Sequence, residues 1–297
     1  VLLCIGLVTL LLRLMNSIGS GWRSPSVLVS LGIAVLSFVC FLFWERHVAY
    51  PMLDLHLFAN RRYAFSVLAA TFQSLALFAV NFLIIFYLQG VRGYSPLTAA
   101  FLILPLPVLT SLIGPLGGRW ADRDRLKGTT PATVGLILQV AALIVLVFLT
   151  PTTPYLLLAL ALCLMGLGGS FFWSPNTSTT MGAAPRNRLG VASATLNTMR
   201  NVGMVCSFAV ALSVAAASMP PNLVNAVFLG TVGHLPPAIS SAFTGAMSHA
   251  FIASAIICVI AIVCSVVREG RRVSTVASPA MAEKTGSGEA VTRQSMR

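Results

Sequence analysis

FLILPLPVLTSLIGPLGGRWADRDRLKGTTPATVGLILQVAALIVLVFL, residues 101–149, decides the fold. Two apolar runs flank a short segment dense in Arg, Lys and Asp. Each run is about as long as a helix must be to cross the hydrocarbon core of a bilayer. Inside lipid every backbone N–H and C=O needs a partner within its own segment, so such a run reads as a helix. The alternation continues in both directions. Apolar runs lie at roughly 1–18, 27–44, 64–88, 97–117, 131–150, 154–175, 191–217 and 246–267. Of the 297 residues 57% are hydrophobic and 9% charged, where a soluble domain carries about 25% charged residues. The chain therefore reads as an all-α polytopic membrane protein with eight transmembrane helices. Its net charge of +12 belongs to topology, and no nucleic-acid partner is expected.

Alternate connecting segments must fall on opposite sides of the membrane. One side receives 45–63, 118–130, 176–190 and the tail 268–297, with fifteen of the 19 Lys and Arg. The other side holds Arg23 and Arg92. Positive charge accumulates on the cytoplasmic side, so the first side, and the C-terminus with it, is expected in the cytoplasm. Glu45, Asp54, Asp122, Asp124, Glu269, Glu283 and Glu289 all fall there too, and no carboxylate sits within a span. The last six spans form two triplets of opposite topology, the pattern of an inverted-repeat transporter half. Residues 1–44 supply two extra helices, 45–63 a loop whose part 51–60 reads as an interfacial helix, and 64–267 the bundle. The Ser- and Gly-containing tail, 268–297, reads as disordered.

The chain opens at Val1 inside an apolar run, without Met or a basic leader, which reads as truncation of a longer protein. All six cysteines lie in apolar runs, and with no CxxC pair they read as small buried hydrophobes. No metal site and no cofactor is expected. The sequence also lacks a Ser/His/Asp set, a carboxylate pair at a membrane face and a phosphate-binding Gly loop, so an enzyme is not indicated.

Four segments carry a resemblance. GPLGGRWADRDRLKG (114–128) contains Gly118, Ala121, Asp122 and Arg123 in the spacing of the G-x-x-A-D-R loop of the major facilitator superfamily. With ERHVAYPMLDLHLFANRRYA (45–64), YLQGVRGYSPLTAA (87–100) and GLGGSFFWSPNTSTTMGAAPRNRLGVASATLNTMRNVG (166–203), the chain resembles the 14-helix drug/proton antiporters, multidrug exporters of that superfamily. The resemblance implies helices seven to fourteen: two linker helices, then the C-terminal six-helix bundle with its 3+3 inverted repeat. It further implies a multi-pass plasma-membrane protein that exports lipophilic drugs or antibiotics by alternating access. Its partners would be the bilayer, a small lipophilic substrate and protons, with the coupling carboxylates in the missing N-terminal half. In the family's loop motif Asp122 would cap a neighbouring helix and pair with Arg123, while Gly118 permits close approach. Arg125 stands where the motif has a second Gly. The other reading of this loop is a basic segment that fixes topology.

Polar residues inside the spans are the remaining candidates. Arg200 lies near the middle of the seventh span, where a cation costs a few kcal/mol unless paired or hydrated. Ser193, Asn197, Arg200, Asn201 and Met204 recur at helical spacing. Arg200 reads either as part of the substrate pathway or as a tie to helix-end carbonyls. Gln73 and Asn81 share a face of the third span, and Gln139 stands in the fifth; such amides bond across helix interfaces or line cavities. Pro105, Pro107 and Pro115 interrupt the fourth span. The function expected is that of a secondary active exporter, in part; the alternative is a non-transporting remnant or assembly partner.

Overall fold

The computed structural model describes Gly32, Leu36 and residues 55–123, 131–218 and 236–269. Gly32 and Leu36 are helical; the rest of the first two apolar runs, residues 51–54 and the tail beyond Glu269 lie outside the described residues. All regular structure among the described residues is helical. A 3-10 turn, Leu55–Ala59, leads into α1, Arg61–Phe86, whose end continues as a π-helical turn, Tyr87–Val91. There follow α2, Pro96–Ile103; α3, Pro105–Arg123; α4, Pro131–Val147; α5, Tyr155–Ala183; α6, Leu189–Ser218; and α7, Pro237–Glu269. Four described segments are long and apolar enough to cross a membrane: Arg61–Val91, Pro96–Arg119, Tyr155–Ala183 and Ile239–Arg268. Pro131–Val147 is a shorter apolar helix.

Local sequence explains the ends. Asn60 accepts the Arg62 N–H at 3.0 Å and donates its amide to the Ala183 carbonyl at 2.9 Å. One side chain thus caps the start of α1 and the end of α5. Ser95 caps α2 through the Thr98 N–H, with Pro96 in the first turn. Gly93, at φ 68°, makes the left-handed turn between the π-helical segment and Ser95.

The packing has twofold order. One triplet is α1, the broken span α2 with α3, and α4; the other is α5, α6 and α7. α1 packs on α6 as α5 packs on α3, and α7 on α1 as α4 on α5. α1 also meets α5, and α4 meets α7, so each principal packing has a counterpart when the triplets are exchanged. Close backbone approaches follow the same order. A Cβ on Gly203 of α6 would stand 2.5 Å from the Thr71 carbonyl oxygen of α1; one on Gly117 of α3 would stand 2.7 Å from that of Ser170 in α5. Small residues permit such approaches, the means by which helices associate tightly in lipid. Outward-facing Leu97, Phe101, Leu112, Ile144, Leu156 and Ile256 are exposed, as a lipid-contacting girdle requires.

Several boundaries differ from those the sequence suggests. The motif Gly118–Arg123 continues α3 instead of forming a loop, because Trp120-Ala121-Asp122-Arg123 holds no helix breaker. The break in the fourth span falls at Leu104, between Ile103 and Pro105, while Pro115 stays inside α3. α5 runs on to Ala183, and α7 begins at Pro237, earlier than its most apolar stretch. Where 51–60 suggested an interfacial helix, the described part is a single 3-10 turn. Its Leu57 is buried, and its Phe58 packs edge-on against Tyr63 at 5.6 Å. Arg268 and Glu269 belong to α7, not to a tail.

Candidate functional site

A cavity of about 210 Å³ opens where five helices converge. α1 contributes Gln73, Ser74, Leu77, Phe78 and Asn81, successive positions of one helical face. Leu106 and Thr110 come from α3, Gln139 from α4, Met165, Gly169 and Trp173 from α5, and Arg200 and Met204 from α6. Gly169 keeps the space open: a Cβ there would meet only Thr110 and Gln139, at 3.7 and 3.8 Å.

Gln73 and Gln139 are both buried and meet across the α1–α4 gap, the Gln73 amide donating to Gln139 Oε1 at 3.5 Å. That bond lies at the long limit for hydrogen bonding. Gln73 Oε1 and Ser74 Oγ, also buried, have no hydrogen-bond partner among the described residues. Leaving such an atom unsatisfied costs about 1–3 kcal/mol, which favours a guest that bonds to it.

Arg200 lies with its guanidinium carbon 4.0 Å from the centre of the Trp173 ring. Stacking of this kind is worth about 0.5–2 kcal/mol or more, increasing with desolvation. Phe172, fully buried, buttresses the indole edge-on at 5.2 Å. The guanidinium is half-buried and makes no hydrogen bond or ion pair among the described residues. Of the two sequence readings, a tie to helix-end carbonyls therefore receives no support from the described contacts.

The remaining sequence candidates are placed as follows. Gln73, Asn81 and Arg200 share the cavity. Asn197 and Asn201 are exposed, on the same flank of α6 as Ser193, and the Asn197 amide bonds to the Ser193 carbonyl of its own helix at 3.0 Å. Gly118 faces Ser174 of α5, whose Oγ stands 2.8 Å from where a Cβ would be. Asp122 and Arg123 end α3, and their side chains lie outside the described residues. Trp173, which the sequence offers either to an aromatic cavity or to lipid, lines the cavity, and nothing in one dimension announces its pairing with Arg200.

A second polar cluster closes one end of the bundle. Arg268, 6% exposed, donates to Asn176 Oδ1 at 2.8 Å, Ser66 Oγ at 3.2 Å and Ser265 Oγ at 3.5 Å. The Asn176 amide in turn bonds to the Ser66 carbonyl at 3.2 Å, and Thr133 pairs with Ser265 at 2.8 Å. Helices α1, α4, α5 and α7 are thereby joined. Charge counting by segment assigns Arg268 to an exposed collar; the structure buries it instead, since α7 extends past its last apolar residues. At the opposite end Tyr87 donates to the Thr150 carbonyl at 2.7 Å and Arg92 to that of Pro151 at 2.8 Å.

Polar groups lining an open cavity among helices whose outer faces are apolar form an arrangement that membrane transporters use. The chain belongs to the Major Facilitator Superfamily, whose sequence model matches residues 3–207. It is 32% identical over 212 residues to the multidrug resistance protein Stp of Mycobacterium tuberculosis, covering 70% of this chain and 39% of that protein. The puromycin resistance protein pur8 of Streptomyces alboniger is 30% identical over 241 residues, with 79% and 46% covered. A methylenomycin A resistance protein of Bacillus subtilis is 30% identical over 191 residues, with 64% and 41% covered. The chain thus spans about two fifths of the length of these relatives. In fold it is similar to a bacterial homologue of the human lysosomal transporter Spinster, in an inward-facing and occupied conformation. The TM-score is 0.54 at 18% identity, covering 86% of this chain and 62% of that one.

Proposed function

We propose that this chain is the C-terminal part of a proton-driven exporter of lipophilic drugs or antibiotics, of the 14-helix type, working by alternating access. The observation that carries the reading is the cavity with its unsatisfied Gln73, Ser74 and Arg200 groups, opening where helices of both triplets meet. The exposed polar flank of α6, with Ser193, Asn197 and Asn201, supports it. Polar side chains at membrane depth face protein or water in preference to lipid, so this flank belongs against the rest of the transporter. The bundle then runs from Arg61 to Glu269; the linker helices expected in 1–44, apart from Gly32 and Leu36, and the tail beyond Glu269 lie outside the described residues. The end bearing Arg61, Arg62, Arg119, Arg186 and Arg188 faces the cytoplasm of the cell that carries the protein in its plasma membrane. Asp122 and Arg123, one turn from the close Gly118–Ser174 approach, serve as the latch between helices.

Proton handling falls to the part outside this chain, since no carboxylate occurs between Arg125 and Arg268. Proteoliposomes test this division. Under an imposed pH gradient, the complete reading frame is expected to move a lipophilic fluorescent dye outward, and the 297-residue chain alone is expected to move none. Gradient-driven efflux by the chain alone would overturn the division of labour. Silence from both would favour a non-transporting remnant.

A further inference from the structure

Arg200 stands in a cavity without a counter-charge. Its guanidinium carbon lies over the Trp173 ring, 4.0 Å from the ring centre, and it has no hydrogen bond or ion pair among the described residues. Every other polar group in the lining is neutral: Gln73, Ser74, Asn81, Thr110 and Gln139. None of the helices that form the lining carries an acid nearer than Asp122, at the far end of α3.

Contact with the ring face occupies one side of the guanidinium and leaves its N–H donors without a partner among the described residues. A planar fork of donors matches the two oxygens of a carboxylate, or of another delocalised anion, better than it matches any neutral acceptor. Burial strengthens the match, because the cation itself is costly at membrane depth until an anion meets it. Trp173 and Phe78 supply flat apolar surface beside the charge, suited to an aromatic body. The buried Ser74 Oγ and Gln73 Oε1, both unsatisfied, offer a second polar contact on the α1 side of the same cavity.

From this geometry we infer that the cavity selects planar, lipophilic anions, their acidic group on Arg200 and their ring beside Trp173, and discriminates against lipophilic cations. The inference rests on reading the cavity as the substrate site.

Three ligands of one shape and different charge test it: naphthalene-2-carboxylate, the corresponding carboxamide and the corresponding carboxamidine. Binding is measured by calorimetry at neutral pH on the complete protein in nanodiscs, with empty nanodiscs subtracted. The carboxylate is expected to bind about tenfold or more tighter than the amidine, with the amide between. In Arg200→Gln that preference collapses to within about threefold while amide binding persists, showing that the variant is folded. Arg200→Lys, which keeps the charge and loses the fork, recovers part of the preference. An amidine that binds tightest, or an order unchanged by Arg200→Gln, overturns the anion preference and leaves the cavity as a site. Binding of none of the three overturns the reading of the cavity itself, and the inference with it.

Discussion

Replacing Gly135 with Ala tests whether α4 and α5 touch backbone to backbone. A Cβ at this position would stand 2.5 Å from the Gly168 carbonyl oxygen, 2.7 Å from the Phe172 nitrogen and 2.9 Å from the Phe171 carbonyl carbon. All three are main-chain atoms, so no side-chain rotation relieves them. Ordinary contact begins near 3.4 Å, and reaching it means parting the two helices by about 0.9 Å. Leu136 of α4 and Leu162 and Met165 of α5 are buried in the same core, which loses packing as the helices part. Overpacking of this kind costs about 1–3 kcal/mol, and in lipid no hydrophobic expulsion compensates for lost packing. Ala is intrinsically the better helix former by about 0.8–1.0 kcal/mol. The net expectation is a loss of up to about 2 kcal/mol in SDS-titrated unfolding of the purified protein in bicelles. Gly245→Ala is the control: nothing stands within 4 Å of its Cβ and no proline follows it, so propensity alone operates and stability holds or rises. Equal stability of the two variants would refute the crossing.

Three further outcomes are expected. Arg268→Met removes the donor that joins Asn176, Ser66 and Ser265, and by leaving buried acceptors unsatisfied it costs about 2–4 kcal/mol in the same unfolding assay. Arg268→Lys restores only part of this, because one ammonium cannot reach the same spread of acceptors. Asn60→Ala uncaps α1 and releases the end of α5, a loss of about 1 kcal/mol, seen as faster amide hydrogen exchange at Arg62 and the Ala183 turn. Gln73→Leu and Gln139→Leu form a double-mutant cycle: each alone leaves one buried amide without its partner, so the double variant is less destabilised than the sum by about 0.5–1.5 kcal/mol. Strict additivity would show that the two amides do not interact.

The class of the fold was legible because span length and charge sidedness are properties of one dimension. The triplets followed from counting spans, and the twofold packing of α1, α5 and their neighbours agrees with them. Polar residues inside apolar runs were equally visible as exceptions, which is how Gln73, Asn81, Gln139 and Arg200 stood out. What they touch was not visible. Trp173 and Arg200 belong to different helices, and only the packing of α5 beside α6 brings them together. Arg268 illustrates the other limit. A cation at the end of an apolar run reads as the first residue of a polar segment, and only the overlap of α7 with Ser66 and Asn176 reveals a buried donor. Asn197 and Asn201 share the polar stripe of Arg200 in sequence, yet helical rotation carries them to a flank that the described residues leave exposed.

Arg200 also has an electrical consequence. A formal charge at membrane depth sits within the transmembrane field, where carrying it across the full potential is worth about 2.3 kcal/mol per 100 mV. α6 cannot shift by itself, being pressed on α1 at Gly203 and bonded to it where Ser207 accepts the Ala79 N–H at 2.6 Å. Any rocking of the bundle therefore displaces the guanidinium along with the helices. In the proposed exporter, a displacement through a quarter of the field at 100 mV would contribute about 0.6 kcal/mol, close to threefold in the balance between inward and outward states. The empty bundle would thus be weighted by voltage, whereas an anion lodged against Arg200 would cancel the charge and free the loaded bundle from that bias.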